Sequence, residues 1–502
     1  MIFLAVLFIF TIRIYKLESL PGEWFGDISN VHEYVQQILK GEWPFYFFQS
    51  PGPLYHYLIA PIAIILNRYG YDTYKIASVL VSILGLYATY FFAKEITSRT
   101  LALITVLIMS FSSWYLIWSR LGNSQIVIPA ISALMSYYLV RYIKRGKLID
   151  LSLGALIASF GWYTYPQTFI FLPIFIFIIF VSLLIRRDWR RGIIHLVFLI
   201  ILSFLFALPF ISIVQHQQGD FTKGYIGNKV IPVFLQSPQQ VISKFFTNYK
   251  KTLLMLHVRG DEIFIGNISH KPHLDRLSGL LFFAGILYFI DKKKWIWLFF
   301  NLFMIGVMIL PSTSPAIPNG EIPSSSRNVA IIPYVYLLVS GGLCWFGNLL
   351  RKILRKDHVY RIFLSVFSVF IVFINLKSYF YDYAYGLPDH NQAWGKEIAQ
   401  YIDTLPPYIN IYFGSCCWGA WGHPEPKAVA YVLRKQRDFI EYSHFLDSCK
   451  EVTRFPALVI FGPNHEDRIK KYFSCFPDIK IENVKGKDGS ILFKKISIDR
   501  IN

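Results

Sequence analysis

Long stretches without charge limit the fold of this chain more than any other feature. QTFIFLPIFIFIIFVSLLI (167–185) and IIHLVFLIILSFLFALPFISIV (193–214) are two of them. An α-helix rises about 1.5 Å per residue, so runs of roughly 15–24 residues match a hydrocarbon core about 30 Å thick. Buried helices of a large soluble protein would carry amphipathic faces and charged ends nearly everywhere. Eleven apolar runs read as spanning helices: 1–15, 74–93, 100–118, 126–143, 150–165, 167–185, 193–214, 277–290, 295–311, 328–350 and 359–377. The first covers about 22 Å and is short for a crossing, which points to a start upstream of this sequence.

The net charge is +19, which in a soluble protein would suggest a nucleic acid or another acidic partner. Position explains the charge better and leaves no role for nucleic acid. Lys144-Arg145-Gly146-Lys147, Arg186-Arg187 with Arg190-Arg191, Lys292-Lys293-Lys294, and Arg351-Lys352 with Arg355-Lys356 are short loops between apolar runs. The positive-inside rule places such loops in the cytoplasm. Two spans then separate each loop from the next, so Ser119–Gln125, Tyr165-Pro166-Gln167, 215–276 and 312–327 lie outside. Residues 16–73 form one long outer loop. Within it the apolar run 54–69 breaks parity if it spans, so it reads as a helix along the interface.

After residue 377 charge rises and apolar runs shrink to strand length. Ala457–Gly462, Ile479–Val484 and Ile491–Ile498 read as strands, with helices over Gln392–Asp403 and Lys427–Gln436. The expected fold class is therefore an all-α polytopic membrane domain, 1–377, with about eleven transmembrane helices plus interfacial helices, followed by a small α/β extracytoplasmic domain, 378–502. Four of the five cysteines, Cys416, Cys417, Cys449 and Cys475, fall in that tail. Outside the cytoplasm they allow three disulfide pairings, with free thiols as the alternative.

Polar groups beside a membrane are costly unless solvated or used. Asp27 stands in the first outer loop, with Asn30 as a cap for a helix over 31–39 and Glu33 at its third position. Such an acid is either an ordinary capping group or a general base or metal ligand. Arg120, in WSRLGNSQ, is either an interfacial anchor or a phosphate ligand, since its fork pairs with phosphate oxygens. Arg327 has the same two readings at the mouth of the span that follows it. The loop 215–276 holds Asp220, Arg259, Asp261, Glu262, His270 and His273, but their spacing matches no metal-ligand pattern. Trp43, Phe45, Tyr46, Phe47, Phe48, Tyr55 and Tyr57 are either an aromatic belt or a groove for a lipid-borne ligand. The sequence contains no P-loop, Rossmann glycines, G-x-S-x-G elbow or H-E-x-x-H.

The order of these features resembles the GT-C glycosyltransferases of the bacterial kind, nearest the protein mannosyltransferase and lipid A aminoarabinose transferase relatives. The resemblance rests on the short first span, the acid before a helix ending in Gly41, Pro53-Leu54 opening an apolar helix that ends in Tyr69-Gly70, Arg120 in SRLG, and Arg327 followed by Pro333. It covers about 1–350 in layout. It implies an enzyme that moves a hexose or pentose from a polyprenyl-phosphate donor to a glycan, lipid or protein acceptor on the outer face of the cell membrane, with inversion. Asp27 matches the family's first-loop base, and Arg120 and Arg327 become donor-phosphate ligands. His32, Glu33 and His56 are possible accessory groups. Ile28 stands where the family often has Glu, and Asn123, Ser124 and Gln125 where a second acid is usual. That weakens the case for a divalent metal bridged by two acids. The partners implied are the lipid-linked donor, the acceptor and membrane lipids. Two other functions fit a chain of this kind: a transporter or flippase for a lipid-linked glycan, and a glycan polymerase or ligase of another membrane fold.

Overall fold

The computed structural model describes residues 2–42, 52–66, 70–186, 189–216, 227, 231–486 and 489–499. They fall into two compact units. One comprises Met1–Tyr15, Tyr34–Asn67 and Thr73–Tyr383; the other comprises Lys16–Glu33, Arg68–Asp72 and Ala384–Asn502.

The first unit is helical throughout. Its helices are α1 (Ile2–Ile14), α2 (Gly26–Leu39, of which only the part from Tyr34 belongs here), α3 (Leu54–Leu66), α4 (Tyr71–Ile96), α5 (Arg99–Phe111), α6 (Ser113–Trp118), α7 (Val127–Arg145) and α8 (Leu148–Ser159). These are followed by α9 (Phe171–Arg186), α10 (Trp189–His216), α11 (Pro238–Leu254), α12 (Arg276–Asp291), α13 (Trp295–Met308), α14 (Ile332–Leu354) and α15 (Asp357–Lys377). Every one of the eleven apolar runs is helical. Among the described residues seven helical stretches are long and apolar enough to cross a membrane: Tyr71–Ile96, Ser124–Arg145, Pro166–Ile185, Gly192–Ile213, Trp295–Thr313, Asn319–Leu354 and Asp357–Gly386. The other four runs correspond to α1, α5, α8 and α12, of 13, 13, 12 and 16 residues.

Two expectations are corrected. The run 100–118 is not one helix. Ser112 leaves helical geometry at ψ 136° and its hydroxyl accepts the Tyr115 amide, so one residue ends α5 and caps α6. The segment 215–276, expected as a polar outer loop, contains a long helix. Ser237 and Gln240 form a capping box with Pro238 in the first turn, and these start the 17-residue α11.

α14 is the centre of this unit. Its residues 332–344 are all buried, and it packs on α12 backbone to backbone. A side chain added to Gly285 would overlap the Leu338 carbonyl, and one added to Gly342 would overlap that of Leu281. Small residues at such a crossing let helices approach where no hydrophobic effect drives them together.

The second unit is an α/β domain. The expected strands are present as β2 (Ala457–Phe461), β3 (Ile481–Lys485) and β4 (Ile491–Ile498), and a further strand, β1 (Asn410–Phe413), precedes them. The sheet order is β1-β2-β4-β3; β1 and β2 are parallel, and the other two pairs antiparallel. Alternation sorts side chains to two faces. Ile411, Phe413, Leu458 and Ile460 pack with Ile398 and Ile402 of α16 (Trp394–Ile402) and Val429 of α17 (Pro426–Val432). Tyr412, Val459, Phe461 and Ile496 pack on the other face with Leu446, Ile469 and Tyr472. Cys449 pairs with Cys475, and Cys416 stands beside Cys417.

Candidate functional site

Residues 16–33 belong to the same unit as the C-terminal strands, and their bonds account for it. Asn391 accepts the Gly22 amide at 2.8 Å and donates to the Ser19 carbonyl at 2.8 Å. Glu23, 4% exposed, accepts the Gly395 amide at 2.8 Å in the first turn of α16, serving as its cap from a distant segment. Burial pushes the Glu23 carboxyl up to about 7. α2 begins at Gly26, so the expected helix over 31–39 starts five residues too late. Asp27 lies in its first turn, not ahead of it, and Asn30 lies inside it, not at its cap. A carboxylate in a first helical turn complements the helix dipole, and Asp27 was the signal for the earlier start.

The Asp27 side chain reaches solvent, while the protein packed around it raises its carboxyl above the ordinary range. The approach to α17 runs alongside. The Phe25 ring meets His423 at 5.4 Å, and the Glu425 carboxylate lies 3.3 Å from where a Cβ on Gly26 would stand. Burial, with Asp27 as a nearby like charge, raises Glu425 also. Nearly two turns on, Glu33 pairs with Lys427 and accepts the Tyr431 hydroxyl at 2.8 Å. Burial opposes its ionisation, but these two donors outweigh it and hold its carboxyl low. His32 stacks on Tyr431 at 4.4 Å and meets Trp24 at 5.5 Å; burial brings it down to about 4, so it is neutral.

The other predicted residues lie in the first unit. Arg120 is fully buried. Its guanidinium donates to the Ile12 and Arg13 carbonyls at 2.7 and 3.0 Å and lies 5.1 and 5.4 Å from the Tyr379 and Phe380 rings. Arg327 pairs with the Glu321 carboxylate and stands in a different network. There the buried Asp261 accepts the Ile263 amide at 3.0 Å within its own segment and the Ser325 amide at 2.6 Å, which ties that segment to the one before α14. His56 is fully buried, its Nδ1 3.0 Å from the Gly52 carbonyl. Tyr55 is buried too, bonded to Ser78 and the Tyr74 carbonyl. Trp43, Phe45, Tyr46, Phe47, Phe48, Tyr69 and Asp220 lie outside the described residues. Among the described residues, no group of three or more His, Cys, Asp or Glu could hold a metal ion.

The dolichyl-phosphate-mannose-protein mannosyltransferase family matches residues 50–212, about a third of the chain. No curated protein matches the sequence. Among solved structures, ArnT from Cupriavidus metallidurans bound to undecaprenyl phosphate is similar, with a TM-score of 0.55 at 11% identity, covering 99% of this chain and 97% of that one. The same enzyme in the apo state gives 0.51 at 12% identity, with the same coverage. The match extends over nearly the whole of both chains. The chain shares its fold with that membrane enzyme, and residues 50–212 match the mannosyltransferase family.

Sequence reasoning missed Glu425, Lys427 and Tyr431. Each stands in the C-terminal unit beside Asp27 or Glu33. Their spacing, on or just before a helix of seven residues, gave the C-terminal domain no chemical signature of its own.

Proposed function

We propose that the enzyme transfers a sugar from a polyprenyl-phosphate donor to an acceptor hydroxyl on the non-cytoplasmic face, inverting the anomeric centre, with Asp27 as the base. The observation that carries this reading is Asp27 itself: a solvent-open carboxylate on a helix start fixed by the surrounding domain, its proton affinity raised above the ordinary carboxylate range by burial. A general base works best when its pKa lies near the working pH. Asp27 takes the hydroxyl proton as the acceptor oxygen bonds to the anomeric carbon. The bond from that carbon to the phosphate oxygen breaks, and the electron pair leaves on the polyprenyl phosphate. No nucleotide enters, in keeping with the missing nucleotide motifs.

Arg327 is the cation offered to the leaving phosphate, because it sits at a loop and keeps some solvent contact, 18% of its side chain. Arg120 acts through the fold: its bonds secure the end of α1 against the turn after α6. Glu33 and His32 hold α2 in place and do not react, since one is bonded twice and the other is buried and neutral. His56 is structural for the same reason. The Cys449–Cys475 disulfide supports a C-terminal unit outside the cytoplasm, where such bonds persist.

The experiment is genetic. Cells lacking the gene accumulate its unused lipid-linked sugar, identified by mass spectrometry of extracted lipids. Asp27→Asn, expressed at the wild-type level, produces the same accumulation, since loss of a general base costs about 10²–10⁴ in rate. A variant that clears the intermediate as the wild type does removes Asp27 from the mechanism.

A further inference from the structure

The two members of the Arg327–Glu321 ion pair are held very differently. Arg327 stands on a fixed base, in the short helix Ser326–Ile331 that leads into α14. Its neighbour Asn328 is fully buried, accepts the Ser312 hydroxyl at 2.9 Å and donates to the Ser324 carbonyl at 2.6 Å. Gln167 donates to the Ser326 carbonyl at 3.0 Å, and the Ser325 amide is bonded to Asp261. Glu321 instead closes an exposed tip formed by Pro318, Asn319 and Gly320. That tip is held by a local turn, in which the Glu321 amide donates to the Pro318 carbonyl at 3.0 Å, and a Cβ on Gly320 would meet nothing within 4 Å.

Two acids face this guanidinium, Glu321 and Asp261. Asp261 is 2% exposed and its two oxygens are taken by the Ile263 and Ser325 amides. Among the described residues the Glu321 carboxylate accepts from Arg327 alone. When another anion reaches Arg327, Glu321 is therefore the acid that gives way.

The charge of that anion decides the exchange. A sugar joined to a polyprenyl phosphate makes a phosphodiester with one negative charge, no more than Glu321 carries. Once the bond to the anomeric carbon breaks, the leaving group is a phosphate monoester with a charge of about −1.5 to −2 at neutral pH. The arginine fork then favours the phosphate over the single carboxylate. An interaction that strengthens as the reaction proceeds is the kind that accelerates it.

We propose that Glu321 is a positioning residue that acts through Arg327: it holds the guanidinium as an internal counter-ion between turnovers and releases it as charge develops on the leaving phosphate. After transfer it competes for the guanidinium again and loosens the spent carrier. The inference rests on the reading of Arg327 as the cation offered to that phosphate.

The test measures the affinity of the full chain, in phosphatidylcholine nanodiscs, for a polyprenyl monophosphate by native mass spectrometry, with the polyprenol that lacks the phosphate as reference. Glu321→Gln removes the competing charge and keeps the shape. It should tighten monophosphate binding on the order of fivefold, the worth of one partly exposed ion pair. Arg327→Gln should weaken binding, and adding Glu321→Gln to it should change nothing further. Arg327→Lys, which keeps the charge but not the fork, takes its place if Arg327→Gln does not fold. Polyprenol binding should be equal in all variants. An ion pair that served only the fold would give no gain in affinity when broken. Equal or weaker binding in Glu321→Gln, beside a loss in Arg327→Gln, overturns the counter-ion role and leaves Arg327 as the phosphate's cation. Unchanged binding in Arg327→Gln overturns the reading of Arg327 and this inference with it. A gain from Glu321→Gln that persists without Arg327 also overturns the inference, because the effect would not pass through that side chain.

Discussion

Glu23 offers the sharpest test of how residues 16–33 are held. Its carboxyl is buried, and it accepts the amides of Gly395 and Trp24. Burial lifts it from 4.5 to about 7. The folded chain therefore holds this proton more tightly than the unfolded chain does. That contribution to stability is complete below pH 4.5 and is lost as the pH rises to about 7. Two and a half units at about 1.36 kcal/mol each give about 3 kcal/mol. His32 acts in the opposite direction: its lowered value means that acid, not base, destabilises the same unit. The wild-type slope alone is therefore uninformative, and the difference between wild type and Glu23→Gln isolates the term. Glutamine keeps an oxygen for the Gly395 amide but does not titrate. Hydrogen exchange of the full-length protein, corrected for intrinsic rates, should show the 394–402 amides losing protection relative to Glu23→Gln by on the order of a hundredfold between pH 4.5 and 7.5. Parallel pH profiles for the two proteins would refute the argument.

Other expectations are simpler to state. Tyr431→Phe keeps the stack on His32 but removes the hydroxyl bond to Glu33, and should lower the thermal stability of the C-terminal unit by about 1 kcal/mol. Gly285→Ala places a methyl against the Leu338 carbonyl and should cost about 1–3 kcal/mol through overpacking, seen as a lower melting temperature in detergent. Gly386→Ala, with open space at its Cβ, should not lower it. Cys449→Ser opens a loop of 26 residues and should cost about 3 kcal/mol, measured as the shift in unfolding midpoint of the C-terminal unit under oxidising conditions.

The helical half of the fold was legible because hydrocarbon leaves a sequence little choice. Every spanning segment must satisfy its backbone internally, so apolar length predicts a helix directly. The errors fell where the signal was local and small. A single Ser112 splits α5 from α6, and a Ser237 capping box starts a helix in what read as a loop. β1 is only four residues long and was lost among turns. The β2, β3 and β4 segments were found because each carries five to eight residues of strand character.

The candidate site was legible only in part, and the reason is sequence distance. Asp27 could be picked out alone, because an acid beside a membrane invites explanation. What supports it could not. The Tyr431 hydroxyl reaches Glu33 across 398 residues of chain, and the Gly395 amide reaches Glu23 across 372. No periodicity or spacing rule links residues so far apart. The same distance argues that residues 378–502 are more than an appendage. A loop carrying the candidate base takes its hydrogen bonds, its ion pair and its aromatic packing from that segment. If those bonds were incidental, removing the segment would leave Glu23, His32 and Glu33 without the partners that set their charge states. A buried carboxylate, a neutral histidine and a doubly bonded glutamate cannot all persist in water on a free loop. The C-terminal unit is thus part of what gives the first loop its structure, and any activity that depends on Asp27 should be lost when that unit is removed.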